Sequence, residues 1–258
     1  MPALMLAIPG ALTIGFTLGL LGSGGSILTV PVLVYMLGQD EKVAIASSLA
    51  IVGLISLFGS IPYIKQKVTD WRMVALFGLP GVAGTYAGAW ASVLVSGVVQ
   101  LTVFAAVMLA AAYFMIKPAK TSDSDSPSLI TRPVVIVAEG LGVGALTGFV
   151  GVGGGFLIVP ALVLLGGITM HRAIATSLVI IAMKSLVGFV KYVDVLSAAE
   201  IDFTVIGLFS VVGFFGCVMG GYVAPRIPQD KLKKTFGILL IVMGTFIFYR
   251  TIPLLVNA

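Results

Sequence analysis

Two clusters of small residues are placed to do chemistry. Gly22-Ser-Gly-Gly-Ser26 interrupts an apolar run and hands it on to Ile27-Leu-Thr-Val-Pro31, and Gly151-Val-Gly-Gly-Gly155 does the same ahead of Phe156-Leu-Ile-Val-Pro160. A helix that starts after such a break has first-turn N–H groups without helical partners. That end carries partial positive charge and favours an anion. Two such ends brought together make an anion-sized cradle that needs no charged side chain. The candidate ligand-binding positions are therefore Ser23, Gly24, Gly25 and Ser26 in one cluster and Gly153, Gly154 and Gly155 in the other. Ser47, Ser48, Thr176 and Ser177 lie one turn into the next apolar stretch of each copy, where a hydroxyl can donate to a ligand oxygen or bond back to its own helix. Lys184 is a basic residue inside an apolar block, and an intramembrane cation is a functional candidate by default.

The clusters belong to a duplication. Residues 22–49 and 151–178 align at an offset of 129 with 14 of 28 positions identical and no gap, ending in Ala-Ile-Ala-(Ser/Thr)-Ser-Leu. Later in each copy Asp70-Trp71 answers Asp202-Phe203, and Gly81, Gly84 and Gly88 answer Gly213, Gly216 and Gly220.

The elements that must hold these residues are membrane helices. The chain is 59% hydrophobic and 10% charged, where a soluble domain has roughly 25% charged residues. Its mean hydropathy is +1.16. Apolar blocks occur at 4–21 with 27–37, 43–64, 71–94, 98–116, 134–150 with 156–165, 172–192, 201–224 and 232–256. This predicts an all-α polytopic membrane protein, with repeat 1 at 1–116, a polar cytoplasmic linker at 117–132 and repeat 2 at 133–258. The N-terminus has no basic n-region, so no cleaved signal peptide is expected. One cysteine and one histidine argue against a protein-built metal cage, and no cofactor is expected. The net charge of +5 reports topology, not nucleic-acid binding.

The first block of each repeat fixes the topology. Its two pieces span ~27 Å and ~16 Å of helix, too long together for one crossing and too short for two. A hairpin bent at the glycines resolves this. With straight first blocks the basic residues outside Lys184 divide 8 to 6 between the two sides, whereas with hairpins they divide 11 to 3, the asymmetry of the positive-inside rule. Each repeat is then a glycine-broken helical hairpin plus three transmembrane helices, an odd number of crossings, so the repeats have inverted topology and both termini are non-cytoplasmic. Broken helices meeting near the midplane of inverted repeats are a recurrent transporter architecture.

Other conspicuous residues have plainer readings. The pairs Gly15/Gly19, Gly84/Gly88 and Gly216/Gly220 and the triplet Gly140/Gly144/Gly148 suit close helix packing. Lys184 lies twelve residues past Arg172, and either faces the site or snorkels outward; Ile55 takes its place in repeat 1. Glu139 reads as interfacial, with proton carriage as the alternative, and His171 as a residue of a helix start.

The doubled Gly-x-Gly-Gly-(Gly/Ser)…Pro signature followed by Ala-x-(Ala/Gly)-(Ser/Thr)-Ser, with the Asp-aromatic start of the third span and its glycines, resembles the TauE/SafE family of sulfite and organosulfonate exporters. The resemblance spans the chain apart from the linker. It implies a multi-pass protein of the bacterial inner membrane that moves small sulfur-containing anions such as sulfite or sulfoacetate by alternating access, with protons as the suspected coupling ion. Ser26 replaces the more typical third glycine of the first signature. The expected partners are a small anion and the lipid bilayer; a homodimer stays open. Two other classes compete with a transporter: a non-transporting membrane scaffold or assembly protein, and an intramembrane serine hydrolase using Ser23 with His171 as base.

Overall fold

The structure is a computed structural model that describes residues 2–116, 133–150, 155–164, 166–195 and 201–256. The linker 117–132 and the second glycine cluster through residue 154, including Gly153 and Gly154, lie outside the described residues. The elements are α1 (Pro2–Leu21), α2 (Gly24–Pro31, running on through a wide turn at Val32–Met36), α3 (Glu41–Lys65), α4 (Trp71–Leu94) and α5 (Gly97–Ile116). They continue with α6 (Pro133–Val150), α7 (Gly155–Leu164), α8 (Met170–Val195), α9 (Phe203–Val223) and α10 (Gln229–Val256). No strand occurs among the described residues. The helices α3, α4, α5, α6, α8, α9 and α10 are each long and apolar enough to cross a membrane. The chain is an all-α polytopic membrane protein.

Local chemistry sets the helix starts. The Asp40 carboxylate accepts from the Lys42 amide at 3.0 Å and opens α3. Asp70 accepts from the amides of Arg72 and Met73 at 3.1 and 3.2 Å and opens α4; Asp202 accepts from Thr204 and Val205 at 2.8 and 3.3 Å and opens α9. The repeated Asp-aromatic pair is thus an N-cap, which supplies acceptors for amides that have no partner in their own helix.

α2 folds back along α1. Gly24 faces the Thr17 carbonyl, Gly25 the Ile14 carbonyl and Gly10 the Val32 side chain, a descending series on one helix against an ascending series on the other. The ends of the bundle sort accordingly. At one end Arg172 pairs with Asp70 at 3.4 Å, the His171 ring meets the Ala224 carbonyl at 3.1 Å, and the Met170 amide donates to Gln229 at 3.4 Å. At the other the Arg250 guanidinium lies 5.6 Å from the Tyr35 ring centre and the Lys191 ammonium 5.4 Å from that of Tyr86. A straight first block would put Asp70 and Arg172 at opposite ends.

Contacts between the halves are reciprocal. α1 packs on α9 as α6 packs on α4, while α3 pairs with α8 and α5 with α10. α3 and α8 form the centre: 78% and 72% of their apolar windows are buried, against 50% or less for the other five long spans. They touch where Gly53 admits Ser185 and Leu186. The glycine ladders do what close packing requires. A Cβ on Gly15 would overlap the Gly213 carbonyl and one on Gly216 the Leu12 carbonyl; in the other pair Gly144 faces Gly81 and Gly84 faces Leu141 in the same way. Backbone meets backbone, the contact that drives helix association where lipid removes the hydrophobic drive.

Candidate functional site at the helix breaks

The first break is two residues long. α1 ends at Leu21, the Gly22 amide closes its last turn on the Leu18 carbonyl at 2.8 Å, and Gly22 turns the chain with φ +75°. Only glycine takes that conformation without strain. A side chain there would also lie 2.7 Å from the Ile174 Cα and from the Ser177 Oγ. Ser23 occupies the N-cap of α2, yet its hydroxyl makes no capping bond. The Ser26 hydroxyl turns back to the Ser23 carbonyl at 2.7 Å, and Thr29 to Gly25 at 2.7 Å.

The two breaks meet. A Cβ on Gly155, the first residue of α7, would lie 2.9 Å from the Ser26 Oγ, 3.2 Å from the Ser23 Cβ and 2.8 Å from the Ile181 side chain. From the opposite half, Ser177 donates its hydroxyl across to the Gly22 carbonyl at 2.9 Å, shared with its own Ile174 carbonyl at the same distance. The starts of α2 and α7 are therefore packed against each other, with α8 behind them.

The hydroxyls singled out in the sequence divide by fate. Ser48 bonds back to the Ile45 carbonyl at 2.8 Å. Thr176 accepts from the Asp70 amide at 3.0 Å and so fastens the turn before α4 to α8. Ser177 ties α8 to the first break. The Ser23 and Ser47 hydroxyls are fully buried and have no partner among the described residues. A buried hydroxyl left without a hydrogen bond costs roughly 1–3 kcal/mol, and Ser56, Thr69 and Ser210 share this state with them.

Lys184 faces inward. It is 1% exposed, and its ammonium has no hydrogen-bond partner among the described residues. Its stem lies along Gly81, whose absent side chain leaves 3.3–3.4 Å to the Lys184 Cδ and Cε, and Nζ lies 6.0 Å from the Phe77 ring centre. It does not snorkel. Lys184 is one turn past Ile181, the residue that abuts Gly155. His171, the base of the hydrolase reading, spends its ring on the Ala224 carbonyl, and Glu139 sits partly exposed on α6.

Two clefts open at the end that carries Lys65, Arg172 and Arg226, and no residue of the described breaks lines either. One, about 450 Å³, is lined by Gly59, Tyr63, Gln66, Cys217, Gly221 and Arg226. The other, about 310 Å³, shares Tyr63 and Gln66 and is lined also by His171 and Ile174. Ile174 has that cleft on one side and Gly22 on the other.

Three residues at the breaks escaped the sequence reading. The Tyr63 hydroxyl donates to the Gly19 carbonyl at 3.5 Å, and Tyr192, exactly one repeat later, to the Gly148 carbonyl at 3.4 Å. Gln100 donates to the Phe149 carbonyl at 2.7 Å and to the Tyr192 oxygen at 2.9 Å. The offset of 129, which relates both tyrosines and both glycines, was the signal that could have found the first two.

Comparison with known proteins places the chain among membrane transporters. The chain is 30% identical over 254 residues to a probable membrane transporter protein of Xylella fastidiosa (strain 9a5c), covering 96% of each chain. It is 28% identical over 256 residues to the probable membrane transporter protein YunE of Bacillus subtilis, covering 90% of this chain and 93% of the other. A probable membrane transporter protein of Methanocaldococcus jannaschii is 23% identical over 261 residues, with 94% and 96% covered. No solved structure matches the chain. The model of the sulfite exporter TauE/SafE family matches residues 7–247, all ten helices in whole or in part, and the chain belongs to that family.

Proposed function

We propose that this membrane transporter carries small sulfur-containing anions, sulfite and sulfonates such as sulfoacetate, across the bacterial inner membrane by alternating access. In this reading the repeats are inverted, both termini are non-cytoplasmic, and the anion sits between the starts of α2 and α7. The observation that carries it is the meeting of the two breaks, together with three buried donors that have no partner among the described residues: the Ser23 hydroxyl at the first break, the Ser47 hydroxyl on α3 and the Lys184 ammonium on α8. Magnitudes support a role for the lysine. A helix N-terminus in a partly buried setting contributes up to about 2 kcal/mol to an anion, whereas stripping an ion of water costs several. Two termini and two hydroxyls offset part of that, and a buried cation offsets the rest. The anion in turn supplies the partner that Lys184 lacks.

Counterflow into proteoliposomes, run over sulfite, sulfoacetate, thiosulfate and small carboxylates, tests the reading. Sulfite or a sulfonate is expected to exchange, and Gly155→Val, which drives a side chain into Ser26 and Ile181, is expected to abolish exchange while the protein still elutes as a single species. Exchange of none of the anions, or exchange unaltered by Gly155→Val, refutes it.

A further inference from the structure

Tyr63 and Tyr192 are the same residue in the two repeats, on α3 and α8, and each reaches the carbonyl of the equivalent glycine near the end of the first helix of its repeat. They lie at opposite ends of the bundle: Tyr63 two residues from Lys65, Tyr192 next to Lys191, which packs on Tyr86. Their surroundings differ in a way the duplication makes measurable. Tyr192 is 2% exposed and takes a hydrogen bond from Gln100. Gln100 also holds the Phe149 carbonyl, so the last turn of α6 is fastened at two successive carbonyls. Carrying the repeat through α4/α9 and α5/α10, where Gly81 answers Gly213 and Phe104 answers Phe236 at an offset of 132, puts Leu232 in the place of Gln100. Its side chain cannot hydrogen-bond. Among the described residues the Tyr63 hydroxyl has one long bond, to Gly19, and both clefts lie against its ring. A 3.5 Å bond is at the weak limit of the interaction.

We propose that Tyr63 and Tyr192 are the two gates of the transport cycle, and that the hydrogen bonds of Gln100 and Tyr192 to each other and to the end of α6 are a latch that keeps the outer gate shut at rest, leaving the protein open to the cytoplasm. The latch rests on the transporter reading above and adds to it which side is open and which residues decide this. Gln100 is a positioning residue: it acts through Tyr192 and the end of α6, just before the second break. Because two conformations related by the repeat compete, removing polar partners from one gate shifts the population toward the other.

Two positions report on the two sides. Val218, partly exposed, lines the cleft by Tyr63, and Thr85 packs beside Gly188, one turn before Tyr192. The full chain, carrying V218C or T85C in a C217T background that removes its single cysteine, is treated in oriented membrane vesicles, without substrate, with a small membrane-impermeant anionic methanethiosulfonate. The V218C thiol is expected to react from the cytoplasmic face. The T85C thiol is expected to stay unreactive from the outer face. Adding Q100L should raise the outer-face rate of T85C at least tenfold and lower the cytoplasmic rate of V218C several-fold. Y192F, which keeps the ring and its packing, should do the same more weakly, and it serves if Q100L does not fold. The converse L232Q, which gives Tyr63 the partner Tyr192 has, should lower the V218C rate. A reciprocal change supports the latch. Rates that rise together, as simple loosening would cause, or that do not move, overturn it. Labelling needs no anion, so a failure here is separate from a failure of counterflow in the unaltered protein.

Discussion

Ile55 and Lys184 occupy one place in two copies of the same helix. Ile55 fills the groove at Gly213 with its terminal methyl, and Lys184 lays its stem along Gly81; both are buried. The backbone around them is alike down to the glycine each covers. The apolar residue satisfies the packing completely, so packing does not explain the lysine. What the pair teaches is that duplication preserves the scaffold while single positions are released from it, and that a residue which breaks the symmetry at a cost is where function is to be sought. A lysine at a helix centre costs about 2.5–3.5 kcal/mol on insertion scales.

The comparison can be broken outright at Gly22. Gly22→Val meets both a left-handed backbone and two atoms at 2.7 Å, and is expected to leave no folded protein in detergent extracts by fluorescence-detected gel filtration. Gly38, with φ +70° and nothing near its missing side chain, provides the contrast: Gly38→Ala should cost only about 1 kcal/mol, from backbone strain alone. Next in size, Lys184→Met makes the second half resemble the first. It should leave the melting temperature unchanged or raise it, while anion exchange falls at least tenfold; exchange equal to the unaltered protein would remove Lys184 from the site. The ladders sharpen the symmetry itself. Gly15→Ala and Gly144→Ala each push a methyl into a facing backbone carbonyl and should lower stability by similar amounts, about 1–3 kcal/mol apiece by thermal unfolding. Unequal costs would mean the two packed pairs are not equivalent. The smallest effect belongs to Ser48→Ala, which loses only a bond to its own helix and should leave exchange within about twofold, whereas Ser23→Ala should raise the half-saturating anion concentration several-fold.

Much of this was legible from the residues. The long apolar blocks gave the membrane helices, the oversized first blocks gave the fold-back of α2, and the glycine ladders were read as packing, as found. The fates of the hydroxyls were not legible, because each depends on what a distant segment brings. Thr176 is claimed by the Asp70 amide 106 residues away, and Ser177 by Gly22 at a separation of 155. Ser48 bonds inside its own turn, which the sequence left as an even alternative. Lys184 could have turned either way by rotation about its side-chain bonds; the absence of a side chain at Gly81 makes the inward course possible. Gln100 gave no warning at all, since a single amide in an apolar helix has meaning only once Phe149 and Tyr192 are beside it.

The swapped pairing of the glycine ladders bears on how the chain is made. α6 emerges from the ribosome when its partner α4 is already in the bilayer, but α1 must wait for α9, since Gly15 and its contact Gly213 are 198 residues apart. At about 5–20 residues per second that wait is roughly 10–40 s. Through it a helix whose glycines bare its backbone has no mate, so the insertion machinery or a lipid must shield that groove until the second-last helix arrives.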